Sequence, residues 1–295
     1  MNTLHLETTQ SGAPPDAPSR NLYIPERLTP LAFTPIYSEL SAAHRARYNQ
    51  LTGLYFLEQT IFFEQCMGRP VLEWIEQMAP SPLREHAREF TDEENKHSSW
   101  FRELLRESEP GWYAQDCFRF VKGGPASLAI LSFCNRRPHQ FPFLLWLQIL
   151  AEERAQYFGG AFVMEADALD PRFVEVQRRH LADEGRHIRW DGEFIEWLWA
   201  QTPLFRRKWN ARLLSWLLRE FFYLPKRSAW NVVEQWISEF PDLADRKAEF
   251  RSAIQSLSRN EAYLRTLYPR SVFPRTRRLA SAWPELQFLD TFFKD

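Results

Sequence analysis

Two short stretches of the 295-residue chain, E-E-N-K-H (93–97) and D-E-G-R-H (183–187), each set a carboxylate three residues before a histidine. The pairs are Glu94 with His97 and Glu184 with His187, and a third histidine, His180, stands four residues before Glu184. A helix turns about 100° per residue, so groups three and four apart stack on one face. Carboxylates can bridge two cations, and imidazoles supply neutral nitrogen donors while leaving coordination positions open. Such a mixed set suits iron or manganese better than the thiolate chemistry of zinc or cuprous copper. A single E-x-x-H on a helix is an ordinary solvated pair; two on separate helices are the signal.

A metal pair inside a helical bundle needs one more carboxylate from each of two further helices. L-Y-F-L-E-Q-T-I-F-F-E-Q (54–65) offers Glu58 and Glu64, and L-A-E-E-R-A-Q-Y (150–157) offers Glu152 and Glu153. Charges in such apolar company are costly without a partner or a metal. Glu58 shares its helical face with Leu51, Leu54, Tyr55 and Phe62. Asp183 and Glu93, each just before its motif's glutamate, are candidates to accept a hydrogen bond from the other motif's histidine. Arg186 is a candidate to pair with a carboxylate across the bundle. Tyr157, one turn beyond Glu153, is a candidate to line a pocket. The competing readings are a solvated charge for the first three and a plain core position for Tyr157.

The elements that must position these residues are helices. Apolar spacing predicts long helices over 38–67, from Ser81-Pro82 to about Glu107, over 140–168, and from Pro171 to about Gln201. A short helix over 70–79 follows the break at Gly68-Arg69-Pro70, and another is expected over 126–135. Gly159-Gly160 fits a place where two helices approach closely. Strand signals are weak. The fold class is therefore all-α, a four-helix bundle with additional C-terminal helices. The metal-binding bundle spans about 38–201 and a helical extension covers 202–295, both within one domain over 31–295. Residues 1–30, rich in Pro, Ser and Thr, read as a poorly ordered arm.

These residues resemble the ferritin-like diiron carboxylate superfamily over about 45–200. E-E-R-A-Q-Y is similar to the third-helix stretch of acyl-carrier-protein desaturases, where the glutamate before Arg-Ala is the ligand, which favours Glu153 over Glu152. Glu58 lies closer than Glu64 to the separation usual in the superfamily. H-x-x-x-E-x-x-H (180–187) resembles the fourth helix of the p-aminobenzoate N-oxygenase family, in which the extra histidine binds iron. The resemblance implies the ligand set Glu58, Glu94, His97, Glu153, His180, Glu184 and His187, with Glu64 and Glu152 as alternatives. It also implies two iron ions, O2 as co-substrate and a reductase or ferredoxin-like carrier as electron donor. The implied activity is monooxygenation of an arylamine to hydroxylamine, nitroso and nitro products in natural-product biosynthesis. The alternative is a diiron C–H hydroxylase or desaturase acting on an acyl or carrier-bound substrate.

Composition narrows the partners. A formal net charge of −1 implies no pull toward nucleic acid. The apolar run 141–151 is too short to span a bilayer, and no secretory signal is visible at the start, so a protein without a membrane partner is expected. Cys66, Cys117 and Cys134 lie far apart with no C-x-x-C pair, which argues against disulfides and thiolate metal sites and for a reducing, cytoplasmic setting. W-N-V-V-E-Q-W-I-S-E-F (230–240) reads as a homodimer face, a cap on the bundle, or core packing.

Overall fold

Asp170 and Pro171 explain where the longest helix begins. The Asp170 carboxylate accepts the N–H of Arg172 at 2.9 Å, and proline at the first helical position needs no N–H partner. Ser41 does the same for an earlier helix, accepting from His44 N–H at 3.1 Å.

The computed structural model describes residues 22–115, 117–219, 224 and 226–293. Its helices are α1 (Pro35–Ser38), α2 (Ala42–Phe62), α3 (Arg69–Met78), α4 (Leu83–Ser108), α5 (Pro110–Tyr113), α6 (Pro125–Asn135), α7 (Phe143–Met164) and α8 (Pro171–Gln201). The chain continues through α9 (Leu204–Leu217), α10 (Lys226–Glu239), α11 (Lys247–Ser256), α12 (Glu261–Leu267), α13 (Pro274–Ala280) and α14 (Phe288–Phe292). The fold is all-α and ferritin-like, and the described residues contain no strand beyond one isolated bridge between Leu22 and Leu169.

Helices α2, α4, α7 and α8 form the bundle. Helix α8 packs on α7 and α4, and α2 packs on α4. Gly159 lets α7 approach α8, because a Cβ there would stand 2.7 Å from Leu181 Cγ. Between α2 and α3 the chain makes a π-helical turn over Phe63–Gly68. Such wide turns inside helices recur at functional sites because they re-aim side chains. The long connection from α4 to α7 carries α5 and α6.

Helix α10 turns Val232, Val233 and Trp236 into the core; Trp236 meets Tyr48 of α2 and Phe250 of α11. The apolar side of 230–240 is thus spent within the chain, as core packing. The start also differs from an unanchored arm. Residues 1–21 lie outside the described residues, but Ile24 and Leu28 are buried, and Asn49 accepts the backbone N–H groups of Tyr23 and Ile24. No helix among the described residues is long and apolar enough to cross a membrane.

Candidate metal centre

Three helices and the π-turn converge on one buried point. Helix α4 contributes Glu94 and His97, α7 contributes Glu152, α8 contributes His180, Glu184 and His187, and the π-turn contributes Glu64. All seven are buried, and His97, Glu184 and His187 are fully enclosed. Nδ1 of His187 stands 3.1 Å from a Glu94 oxygen, 3.6 Å from Glu152 and 3.9 Å from Glu184. Nε2 of His180 stands 2.8 Å from Glu184 and 3.4 Å from Glu64. Nδ1 of His97 stands 3.5 Å from Glu94. Three overlapping trios could each hold an ion: Glu64, His97 and His180; Glu94, His97 and His187; Glu152, Glu184 and His187.

The donor atoms are short of partners. Both oxygens of Glu94 and of Glu184, one oxygen of Glu64, and Nδ1 of His97 and His187 are buried without a well-directed hydrogen bond. Buried polar atoms are nearly always satisfied, so this concentration at one point needs an explanation. A bound cation would supply it. The four carboxylates match two divalent ions in charge, and the three imidazoles add neutral donors.

The electrostatics follow the same logic. Burial pushes Glu64 up to about 7, helped by Glu94 nearby. Burial and the neighbouring Glu184 hold Glu152 well above the usual carboxylate range. Burial also opposes the charge of Glu94, but the adjacent His187 and His97 imidazoles outweigh it and hold this group down to about 2. Glu184 is held low in the same way, chiefly by His180. Burial disfavours a charged His180, yet the Glu184 and Glu64 carboxylates raise it to about 10. A protonated His180 thus supplies positive charge among these carboxylates in the metal-free protein.

The nitrogens that face away from the cluster are held as well. His97 Nε2 meets Asp183 at 3.1 Å, and His187 Nε2 meets Glu93 at 3.0 Å, each reaching between α4 and α8. Arg186 ties the two carboxylates together, donating to Glu93 at 2.6 Å and to Asp183. With a metal bound, these contacts would hold the N–H on Nε2 of both imidazoles and leave Nδ1 to face the ion as a lone-pair donor. Ser98 Oγ donates to Glu64 at 2.7 Å, and the Phe90 ring stacks on His187 with centroids 3.9 Å apart.

Glu58 and Glu153 lie outside this cluster, a correction to the expected set. The Glu58 carboxylate accepts Tyr113 O–H at 2.6 Å and the consecutive N–H groups of Arg119, Phe120 and Val121, each at 2.8 Å. It tethers the crossover connection to α2. Glu153 accepts the N–H groups of Arg275 and Thr276, at 2.7 and 3.1 Å, and so anchors the start of α13. The alternatives Glu64 and Glu152 take the inward positions instead. Adjacent residues on a helix point about 100° apart, so Glu152 and Glu153 cannot both face the bundle centre. Tyr157 faces away too, donating to the Thr266 carbonyl at 2.8 Å.

A cavity of about 40 Å³ opens beside the carboxylates, between α2 with its π-turn and α7. Phe56, Thr60, Phe63 and Met67 wall one side and Gln148, Ala151 and Ala155 the other, with Glu64, Glu94, Glu152 and His180 at the cluster end. Sequence reasoning missed Ser98, Phe90 and Gln148. Ser98 had a signal, four residues after Glu94; Gln148 had a clearer one, as the lone polar residue in an apolar run and one turn before Glu152.

A family model described as p-aminobenzoate N-oxygenase AurF matches residues 12–267. Comparison with curated proteins gives no match.

Proposed function

Because the chain belongs to the p-aminobenzoate N-oxygenase family, we propose that it is a diiron monooxygenase that transfers oxygen to the nitrogen of an arylamine. One observation carries the reading: four carboxylates and three imidazoles, buried together and poor in hydrogen bonds, meet at the centre of the bundle. In this reading Glu64, Glu94, His97, Glu152, His180, Glu184 and His187 hold two iron ions. The presence of His180 among them supports N-oxygenation over the C–H hydroxylase or desaturase alternative, since that alternative needs only the other six.

Two iron ions held by these residues would supply the redox chemistry that activates O2. The first stage balances as arylamine, O2, two electrons and two protons giving arylhydroxylamine and water. An external reductase or ferredoxin-like carrier provides the electrons. Asp183 and Glu93 fix the orientation of His97 and His187, and Arg186 keeps both carboxylates ionised and in place. Ser98 holds Glu64 by one oxygen. Phe90, packed on His187, and Phe101, with its ring centroid 5.1 Å from that of His180, keep water from the imidazoles. The cavity beside Glu64 and Glu152 receives the substrate.

The test is direct. Metal-free protein is loaded with ferrous iron under anaerobic conditions and exposed to 18O2, a chemical reductant and a panel of anilines. We expect 18O-labelled hydroxylamine, nitroso or nitro products. Labelled C-hydroxylation products alone would overturn the assignment.

A further inference from the structure

Gln148 lies on α7 one turn before Glu152 and is 8% exposed. Its amide oxygen is buried with no hydrogen-bond partner, and the side chain lines the cavity that ends at Glu64, Glu94, Glu152 and His180. A buried amide left in this way is destabilising, so it needs a reason. The other neutral polar group on the lining nearby has its donor committed: Thr60 Oγ1 donates to the Phe56 carbonyl at 3.1 Å. Room around the amide is preserved by Gly68, where a Cβ would stand 3.3–3.5 Å from Cδ, Oε1 and Nε2 of Gln148.

We propose that Gln148 holds the reacting nitrogen of the substrate, its amide oxygen accepting an N–H bond of the arylamine beside the metal ligands. The proposal rests on the arylamine reading above and deepens it. A carboxamide is suited to this position for a specific chemical reason. As an amine becomes a hydroxylamine, then a nitroso and a nitro group, its nitrogen loses N–H donors and gains N–O acceptors. By rotating about its last torsion, one amide can offer its oxygen to the early stages and its NH2 to the late ones. A carboxylate or an aliphatic side chain cannot do both. The space of about 40 Å³ admits little more than water-sized groups, so the aromatic ring enters as the flexible Met67 side chain turns aside.

The test compares ligands of one shape on full-length, metal-loaded, oxidised protein: 4-methoxyaniline and 4-methoxytoluene, which lacks the donor. Affinities are measured by calorimetry, with 4-nitroanisole as the acceptor-only probe. An amine is harder to strip of water than a methyl group, so an apolar pocket without an acceptor favours the toluene. We expect the protein to favour the aniline by about tenfold, the worth of one buried hydrogen bond. The preference should vanish in Gln148→Met with metal content retained. Gly68→Ala, which presses on the amide from outside, should reduce it. Equal or reversed affinities in the unaltered protein overturn the proposal, as does a preference that survives Gln148→Met. If Gln148→Met does not fold, the unaltered protein and Gly68→Ala decide. Anilines oxygenated without the preference would sink the role of Gln148 alone. The preference without any N-oxygenated product would sink the functional reading alone.

Discussion

His97 of α4 and Asp183 of α8 meet at 3.1 Å through the imidazole nitrogen that faces away from the cluster, and His187 and Glu93 repeat the contact in the opposite sense at 3.0 Å. Each motif therefore steadies the histidine of the other. Each E-x-x-H is preceded by an acid because one helix carries both a donor to the centre and the clamp for its neighbour's donor.

That reciprocity predicts the effect of removing a clamp. Asp183→Ala and Glu93→Ala should each weaken metal binding by about 10- to 100-fold while leaving helix content intact. Asp183→Asn, which keeps an acceptor oxygen, should lose less. Metal titration followed by absorbance or calorimetry checks the order. Equal affinity in Asp183→Ala would mean that His97 needs no outer partner.

Glu58 and Glu152 should separate stability from metal binding. Glu58→Ala strands three backbone N–H groups and Tyr113 O–H, at a cost of roughly 2–4 kcal/mol, with two metal sites per chain retained. Glu152→Ala should leave the metal-free protein as stable or more so, because it removes a buried carboxylate held well above its usual range by burial and Glu184, and it should lower the metal content. Thermal melts with metal analysis read both.

Metal loading should expel protons at neutral pH. His180 is raised to about 10 by Glu184 and Glu64 against the opposing effect of burial, so in the metal-free protein it is protonated at pH 7. A metal needs the neutral imidazole, so binding releases that proton, and apparent affinity should rise as pH increases from 6 to 9. Glu94 and Glu184, both held low, are already ionised and release none. Indicator-dye measurement of proton release during ferrous titration checks the sign; uptake rather than release would contradict it.

Gly53 should resist any side chain. A Cβ there would stand 2.4 Å from Tyr23 Cβ and 3.2 Å from the Tyr23 carbonyl carbon. Gly53→Ala should push residues 22–33 off α2 and cost on the order of 1–3 kcal/mol. Increased proteolysis near Tyr23, together with a lower melting temperature, is the expected result.

The helices and most of the inward donors are legible in the order of the amino acids. Apolar spacing and Pro171 after Asp170 mark elements that the structure reproduces to within a few residues, whereas at Gly68-Arg69-Pro70, where a break is expected, the chain stays helical from the π-turn into α3. His180, Glu184 and His187 must share a face wherever their helix goes, because three- and four-residue spacing is a property of the helix itself. The choice between Glu58 and Glu64, and between Glu152 and Glu153, emerges from how the helices pack. Helix α2 is buried almost all round near Glu58, and the first half of α7 is buried on every side. Where every face is apolar, periodicity carries no sign of which one looks inward. The π-turn over Phe63–Gly68 then shifts the phase of the chain, carrying Glu64 to the cluster and leaving Glu58 to the crossover connection. A helix's own residues set which side chains point together; what they point at depends on the neighbours packed around it.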